Sequence, residues 1–140
     1  MTKTGSCLCG KTTYRVDSLN KDIVWCHCTM CRRASETAAV PWMTVSRNEC
    51  HWTGDAPQKF QSSDHGPRYF CGTCGSPLAF CTTKHPDDLD LTVSTLQNPE
   101  QFAPVRHVWT STRLPWCLPM TCPPKLKFQN SPARVMILTT

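Results

Sequence analysis

The sequence predicts a mainly β protein: antiparallel strands, short helical turns and metal-bound thiolates as cross-links. Two observations lead there. Apolar residues recur with a period of two, most cleanly at Leu89, Leu91 and Val93, so that stretch reads as a half-buried strand. The chain also carries eleven cysteines in 140 residues, and most of them cluster at C-x-C and C-x-x-C spacings rather than scattering. A length of 140 residues fits one domain with a core of its own.

The elements follow in order. Residues 12–16 are β-formers and alternate, so they read as a strand. Residues 17–22 are a polar loop, and residues 23–25 form a short apolar strand. Residues 32–36 read as one helical turn. Residues 37–45 are apolar and β-prone, but Pro41 cannot donate to a ladder, which predicts an edge or bulged strand there. Residues 50–53 and 58–62, separated by Gly54-Asp55, read as a hairpin. Asp64-His65-Gly66 is a turn, residues 68–70 lead into a cysteine pair, residues 77–81 form a strand, and residues 85–88 turn into strand 89–94. Asn98-Pro99-Glu100 is a loop or a short helix start. Residues 105–109 form a late strand, which places His107 and Trp109 on one face. Leu114-Pro115-Trp116 caps it. Trp25, Trp42 and Trp52 are expected in the core.

Pro119, Pro123, Pro124 and Pro132 prevent regular structure after Cys117. The expected organisation is one folded domain followed by a Pro-rich tail over 120–140. Residues 135–138 of that tail are apolar enough to pack on the body or in a homodimer.

The N-terminus has no apolar run and the cysteine number is odd, so disulfides are not expected. A reducing, cytoplasmic setting with metal-bound thiolates fits better. No stretch reaches transmembrane length, so no membrane partner is expected. The formal charge is +5. Seven thiolates and two zinc ions would shift it by about −3, leaving about +2. The basic residues are spread along the chain without a dense run, so nucleic acid is not an expected partner.

The stretch Cys26-His27-Cys28-Thr29-Met30-Cys31 carries the sharpest chemistry. On an extended segment Cys26 and Cys28 share a face and His27 points the other way, toward a hydrogen bond on the far side. The x-x step then folds Cys31 back toward the same point. Three protein ligands with an open position is how catalytic zinc is usually held, whereas a structural site is closed by a fourth. The spacing leaves both arrangements open, with Cys50 or Cys81 as distant fourth ligands. Cys71-Gly72-Thr73-Cys74-Gly75 is a zinc knuckle, and Cys7 with Cys9 is the economical pair to complete a four-cysteine site. Cys50, Cys81, Cys117 and Cys122 lack metal spacing and read as small apolar residues.

Taken together, Gly5-Ser6-Cys7-Leu8-Cys9-Gly10, Cys26-His27-Cys28-Thr29-Met30-Cys31-Arg32, Phe70-Cys71-Gly72-Thr73-Cys74-Gly75 and His107-Val108-Trp109 resemble the glutathione-dependent formaldehyde-activating family, which includes centromere protein V. The resemblance covers roughly residues 3–119. It implies a zinc-stapled β-tent fold, a structural zinc on Cys7, Cys9, Cys71 and Cys74, and a catalytic zinc on Cys26, Cys28 and Cys31. It also implies condensation of glutathione with formaldehyde, a carbon–sulfur lyase reaction run in reverse. Glu36 departs from it, standing where many members have a glycine after Ser35.

Three thiolates leave a zinc centre at net −1, which favours delivery of a substrate thiolate over strong carbonyl polarisation. Arg32 is the candidate for pairing with a glutathione carboxylate. His107 is the candidate proton carrier, and Trp109 a candidate pocket wall. The expected function is therefore a cytoplasmic carbon–sulfur lyase joining glutathione or a related thiol to a small aldehyde. The alternative from another class is a zinc-stabilised binding module without catalysis, which a dense basic tail would have favoured. A third is a thiol redox sensor, which needs an extra exposed cysteine beside the open site.

Overall fold

The structure, a computed structural model, describes residues 2–17 and 22–117. Among the described residues ten strands form two open sheets: β1 (Lys3–Ser6), β2 (Thr13–Val16) and β5 (Cys50–Trp52) make the smaller one in the order β1-β2-β5. The larger sheet runs β10-β3-β4-β9-β8-β7-β6. Its strands are β3 (Asp22–Cys26), β4 (Val40–Ser46), β6 (Gln58–Ser63), β7 (Gly66–Phe70), β8 (Pro77–Thr82), β9 (His85–Thr92) and β10 (Arg106–Val108). All pairings are antiparallel except β10 with β3, which is parallel. One helix, α1 (Thr29–Ser35), follows β3. The expected mainly β fold with short helical turns is the observed one.

The period-two pattern decides what each face of the large sheet does. Ile23, Met43, Val45, Leu89, Leu91 and Ala79 turn toward the small sheet and are buried with Tyr14 and Val16. Trp52 closes this core, edge-on to Tyr14 at 5.7 Å and stacked on Tyr69 at 6.2 Å. Burying side chains of this size is worth about 1.5–3 kcal/mol each, so this contact supplies most of the driving force for joining the sheets. The buried Tyr14 hydroxyl bonds Thr95 Oγ1 at 2.9 Å, which satisfies its polar end. A lone bridge between Gly5 and Leu96 stitches the sheets along one side.

Residues on the alternate positions face away from that core. Cys26, Val40 and Trp42 form a second buried cluster with Cys31, against which Val24, Phe80 and Val108 pack. The large sheet therefore has an apolar core on one face and the Cys26 cluster on the other.

Four sequence expectations need correction. Strand β4 is interior, not an edge, because Pro41 sits beside β3 only and pairing with β9 begins at Trp42. The missing N–H thus faces no second neighbour. Residues 50–53 and 58–62 do not form a hairpin. Thr53 and Asp55 donate to the Thr13 and Lys11 carbonyls, which holds the connection on the small sheet while β6 leaves to pair with β7. Residues 85–88 belong to β9, and the turn before it lies at Thr83 and Lys84. Strand β10 ends at Val108, since Trp109 adopts a left-handed φ of 57°, so His107 and Trp109 do not share a strand face. Among the tryptophans expected inside, Trp42 is buried, and Trp25 and Trp52 are half-buried. The tail 120–140, with residues 135–138 and Cys122, lies outside the described residues.

Helix α1 ends on Glu36, whose φ of 50° and ψ of 53° are left-handed and whose N–H bonds the Arg32 carbonyl. Glycine takes this conformation without the clash of a Cβ, which costs L residues about 1–2 kcal/mol. Glu36→Gly should therefore stabilise the protein by about 0.5–1 kcal/mol, measured as a raised urea midpoint. An unchanged or lowered midpoint would show that the Glu36 side chain makes a compensating contact.

Candidate metal centres

Two groups of cysteine sulfurs converge among the described residues. Cys7, Cys9, Cys71 and Cys74 form one, and Cys26, Cys28 and Cys31 form the other, with all sulfurs in each within 4.8 Å of one another. The first joins the loop after β1 to the loop between β7 and β8. Both loops are knuckles, and each second cysteine is followed by a glycine of positive φ, Gly10 at 77° and Gly75 at 76°. That conformation lets the backbone double back beneath the sulfurs. Thr12 N–H donates to Cys7 Sγ at 3.3 Å and Thr73 N–H to Cys71 Sγ at 3.4 Å. Ser76 links the knuckles: Leu8 N–H donates to its hydroxyl at 3.0 Å, and its oxygen lies 3.1 Å from Cys74 Sγ.

The surroundings divide the group: against the Lys11 backbone hydrogen bond, burial and the neighbouring thiols push Cys9 up to about 11, whereas Cys71 and Cys74 are favoured as thiolates. The hydroxyl and backbone of Ser76 pull Cys74 down to about 5, and Thr12 and the neighbouring backbone N–H groups pull Cys71 down to about 7. A tetrahedral zinc at about 2.3 Å from each sulfur separates its ligands by about 3.8 Å. Cys7 and Cys9 lie 3.5 Å apart, Cys9 and Cys71 3.8 Å, so this set fits a closed tetrahedral ion.

The second group forms where β3 runs out. Cys26 ends the strand, Cys28 is the N-cap of α1 and Cys31 lies in its first turn. The Cys28 sulfur accepts from Cys31 N–H at 3.2 Å, a capping bond normally made by an oxygen. Cys26 Sγ and Cys31 Sγ are 3.5 Å apart. Hydrogen bonds from Cys26 and Cys31 pull Cys28 down to about 2, and the same sharing pushes Cys26 up. Three sulfurs this close cannot all ionise without a cation among them, and a divalent ion is what the donor set suits. No fourth cysteine, histidine or carboxylate joins this group among the described residues. Cys50 packs against the main core, and buried Cys81 accepts from Arg47 at 3.5 Å.

The three sulfurs line a cavity of about 540 Å³. Its walls follow from sheet alternation: Asp22, Val24 and Cys26 on β3, Trp42 and Thr44 on β4, Asp90 on β9, Phe80 and Thr82 on β8, Arg68 on β7, and Arg106 and Val108 on β10. The lining is mostly apolar, with several charged side chains among it. Arg106 pairs with Asp22, while the Asp90 carboxylate accepts from Thr44 Oγ1 at 2.6 Å. Burial pushes Asp90 up despite that bond. Lys84 and His65 stand at the same cavity.

The structure brings together only part of the remaining candidate set. Trp109 lines the cavity and is 67% exposed, at its mouth rather than in a core. His107 is not among the lining residues. Arg106 and Val108 face the cavity, whereas His107 Nδ1 lies 2.8 Å from Nε2 of His27, the rings stacked at 5.1 Å. His27 is thus held from the far side of its strand, as its position between two ligands requires. Arg32 lines a different cavity with Arg33, Glu36 and Trp116, and its Nε is buried without a hydrogen bond. Glu36 also lies there, away from the sulfurs.

Most of the cavity lining escaped the sequence reading, Arg68, Phe80, Lys84, Asp90 and Arg106 among it. Asp90 and Arg106 occupy the polar positions of alternating strands, a signal that marks a face but not what covers it.

Residues 2–112 match the family model described as glutathione-dependent formaldehyde-activating enzyme. The chain belongs to that family. A crystal structure of a Rhodobacter sphaeroides protein is similar in fold, with a TM-score of 0.61 at 23% identity over 74% of this chain and 98% of that one. No curated protein matches the sequence. Among the described residues no helix is long and apolar enough to cross a membrane.

The two sulfur groups should respond differently to substitution. A structural zinc site contributes on the order of 10–16 kcal/mol in small domains, which equals or exceeds the usual 5–15 kcal/mol stability of a whole domain. Cys74→Ser, which unties segments far apart in sequence, should abolish soluble folding. Cys28→Ser, which loosens only a local loop, should leave a folded protein with one metal ion fewer by native mass spectrometry. Equal destabilisation by the two would mean that both centres are structural.

Proposed function

We propose that this member of the formaldehyde-activating family is a zinc-dependent carbon–sulfur lyase, which joins glutathione or a related thiol to formaldehyde or another small aldehyde. The observation that carries this reading is the open side of the Cys26, Cys28 and Cys31 group: three sulfurs, no fourth ligand among the described residues, and a cavity of about 540 Å³ in front of them. In it Cys7, Cys9, Cys71 and Cys74 hold a second, structural zinc. The domain is assigned to residues 3–119, with residues 120–140 as a tail.

A zinc ion held by Cys26, Cys28 and Cys31 would supply ionisation of an incoming thiol at neutral pH. The chain's residues do the rest. Cys26, Cys28 and Cys31 would hold the ion, at a cavity that Phe80 and Val108 also line. Those two apolar side chains with Val24 and Trp42 limit water there, so the thiolate meets the aldehyde rather than solvent. The thiolate would attack the carbonyl carbon, the carbon–sulfur bond forming as the carbonyl π bond opens onto oxygen, and that oxygen would take up, through water at the mouth, the proton that the thiol released on ionising. Thiol and aldehyde are the only reactants and the S-hydroxymethyl adduct the only product. Holding the two together supplies most of the gain.

Substrate recognition falls to the charged side chains. Lys84 and Arg106 meet the carboxylates of the thiol, and Trp109 covers the mouth. Arg32, in the neighbouring cavity, does not take the carboxylate-binding part that the sequence suggested. His107 acts on the cysteine loop through His27 instead of carrying a proton to substrate.

Cobalt-loaded protein tests this reading, because thiolate-to-cobalt charge-transfer bands grow with sulfur count. Glutathione should raise the spectrum from that of a three-sulfur to a four-sulfur site, and formaldehyde should then be consumed faster than in the uncatalysed mixture. Cys31→Ala should return the rate to the uncatalysed level. A spectrum already that of four sulfurs and indifferent to glutathione would make the protein a doubly stapled binding module.

A further inference from the structure

Arg68 is the one cation that reaches the sulfurs themselves among the described residues. It lies on β7, where alternation buries Tyr69 and turns Arg68 to the cavity face. Its Nη2 donates to Cys31 Sγ at 3.6 Å, and its guanidinium lies 5.1 Å from the centre of the Phe80 ring. No carboxylate pairs with it among the described residues. A half-buried arginine normally finds an anion, and the anion offered here is the cysteine cluster.

We propose that Arg68 is a positioning residue that sets the charge balance of the Cys26, Cys28 and Cys31 centre, and so decides whether its open position accepts an anionic sulfur. The inference rests on the zinc reading above and deepens it. Three thiolates and a divalent ion carry −1, and a substrate thiolate would take the centre to −2 in a largely apolar cavity. The guanidinium brings these states to 0 and −1. Its N–H also weakens donation from Cys31, which leaves the ion better able to take a fourth sulfur. Arginine suits this place because its planar, weakly hydrated head stacks on Phe80 while an N–H still points at sulfur.

The experiment uses a thiol without a carboxylate, 2-mercaptoethanol, so that charge at the sulfur is separated from recognition of the substrate's carboxylates. Cobalt-loaded wild type, Arg68→Lys and Arg68→Gln are titrated, with the four-sulfur centre as a constant background. Arg68→Gln should bind the thiol about tenfold or more weakly, and Arg68→Lys should fall between it and wild type. Phe80→Leu, which unseats the guanidinium without removing charge, should weaken binding in the same direction. A role confined to packing would change the melting temperature and leave the titration alone. Equal thiol affinity in wild type and Arg68→Gln, or in wild type and Phe80→Leu should the former not fold, overturns the inference while the proposed function stands. A loss seen with glutathione but not with 2-mercaptoethanol also overturns it, since Arg68 would then read a carboxylate. A wild-type protein whose cobalt spectrum ignores both thiols overturns the proposed function and this inference with it.

Discussion

Four sulfurs from Cys7, Cys9, Cys71 and Cys74 stay within 4.8 Å of one another although more than sixty residues separate the two pairs. Without a cation, bringing four potential thiolates together would oppose folding; with one it becomes a cross-link. Almost everything else follows from where that link falls. A metal ion held there would tie the end of β1 to the turn between β7 and β8, and so fix the small sheet over one face of the large one. Tyr14, Met43, Leu78 and Leu91 are then fully buried between them.

With one face committed to the core, the other face of the large sheet is free for chemistry. The Cys26 group needs only local geometry: the end of a strand, a capping sulfur and the first turn of a short helix. Its environment, by contrast, is entirely tertiary. Asp22, Thr44, Phe80, Asp90 and Arg68 reach the same cavity from five strands, and each gets there by strand alternation and register. The two groups therefore differ in kind, one joining segments distant in sequence and the other built from one local loop.

The same distinction explains what the sequence could reveal. Both cysteine groups were legible because C-x-C and C-x-x-C spacings are local constraints that few other structures require. The strands at 13–16 and 89–92 were legible because burial on one face imposes the period of two. The hairpin expected at 50–62 failed because Gly54-Asp55 marks a turn without saying that the two flanking strands belong to different sheets. The Pro41 expectation failed because an interior strand can extend past one of its neighbours. His107 and Trp109 were read as one face because a left-handed tryptophan leaves no pattern in a single sequence. Arg68 sits three residues before Cys71 but acts across the sheet on Cys31, a contact that only the β7–β8 pairing and the helix position create.

The account depends on one centre being closed and the other open. X-ray absorption at the zinc edge of protein purified without chelator addresses this directly, because sulfur and lighter atoms scatter at distinct distances. Seven sulfurs shared by two zinc ions, with a light-atom ligand completing the set, is the result the account predicts. Four sulfurs per zinc and no lighter ligand, or one zinc per chain, would contradict it.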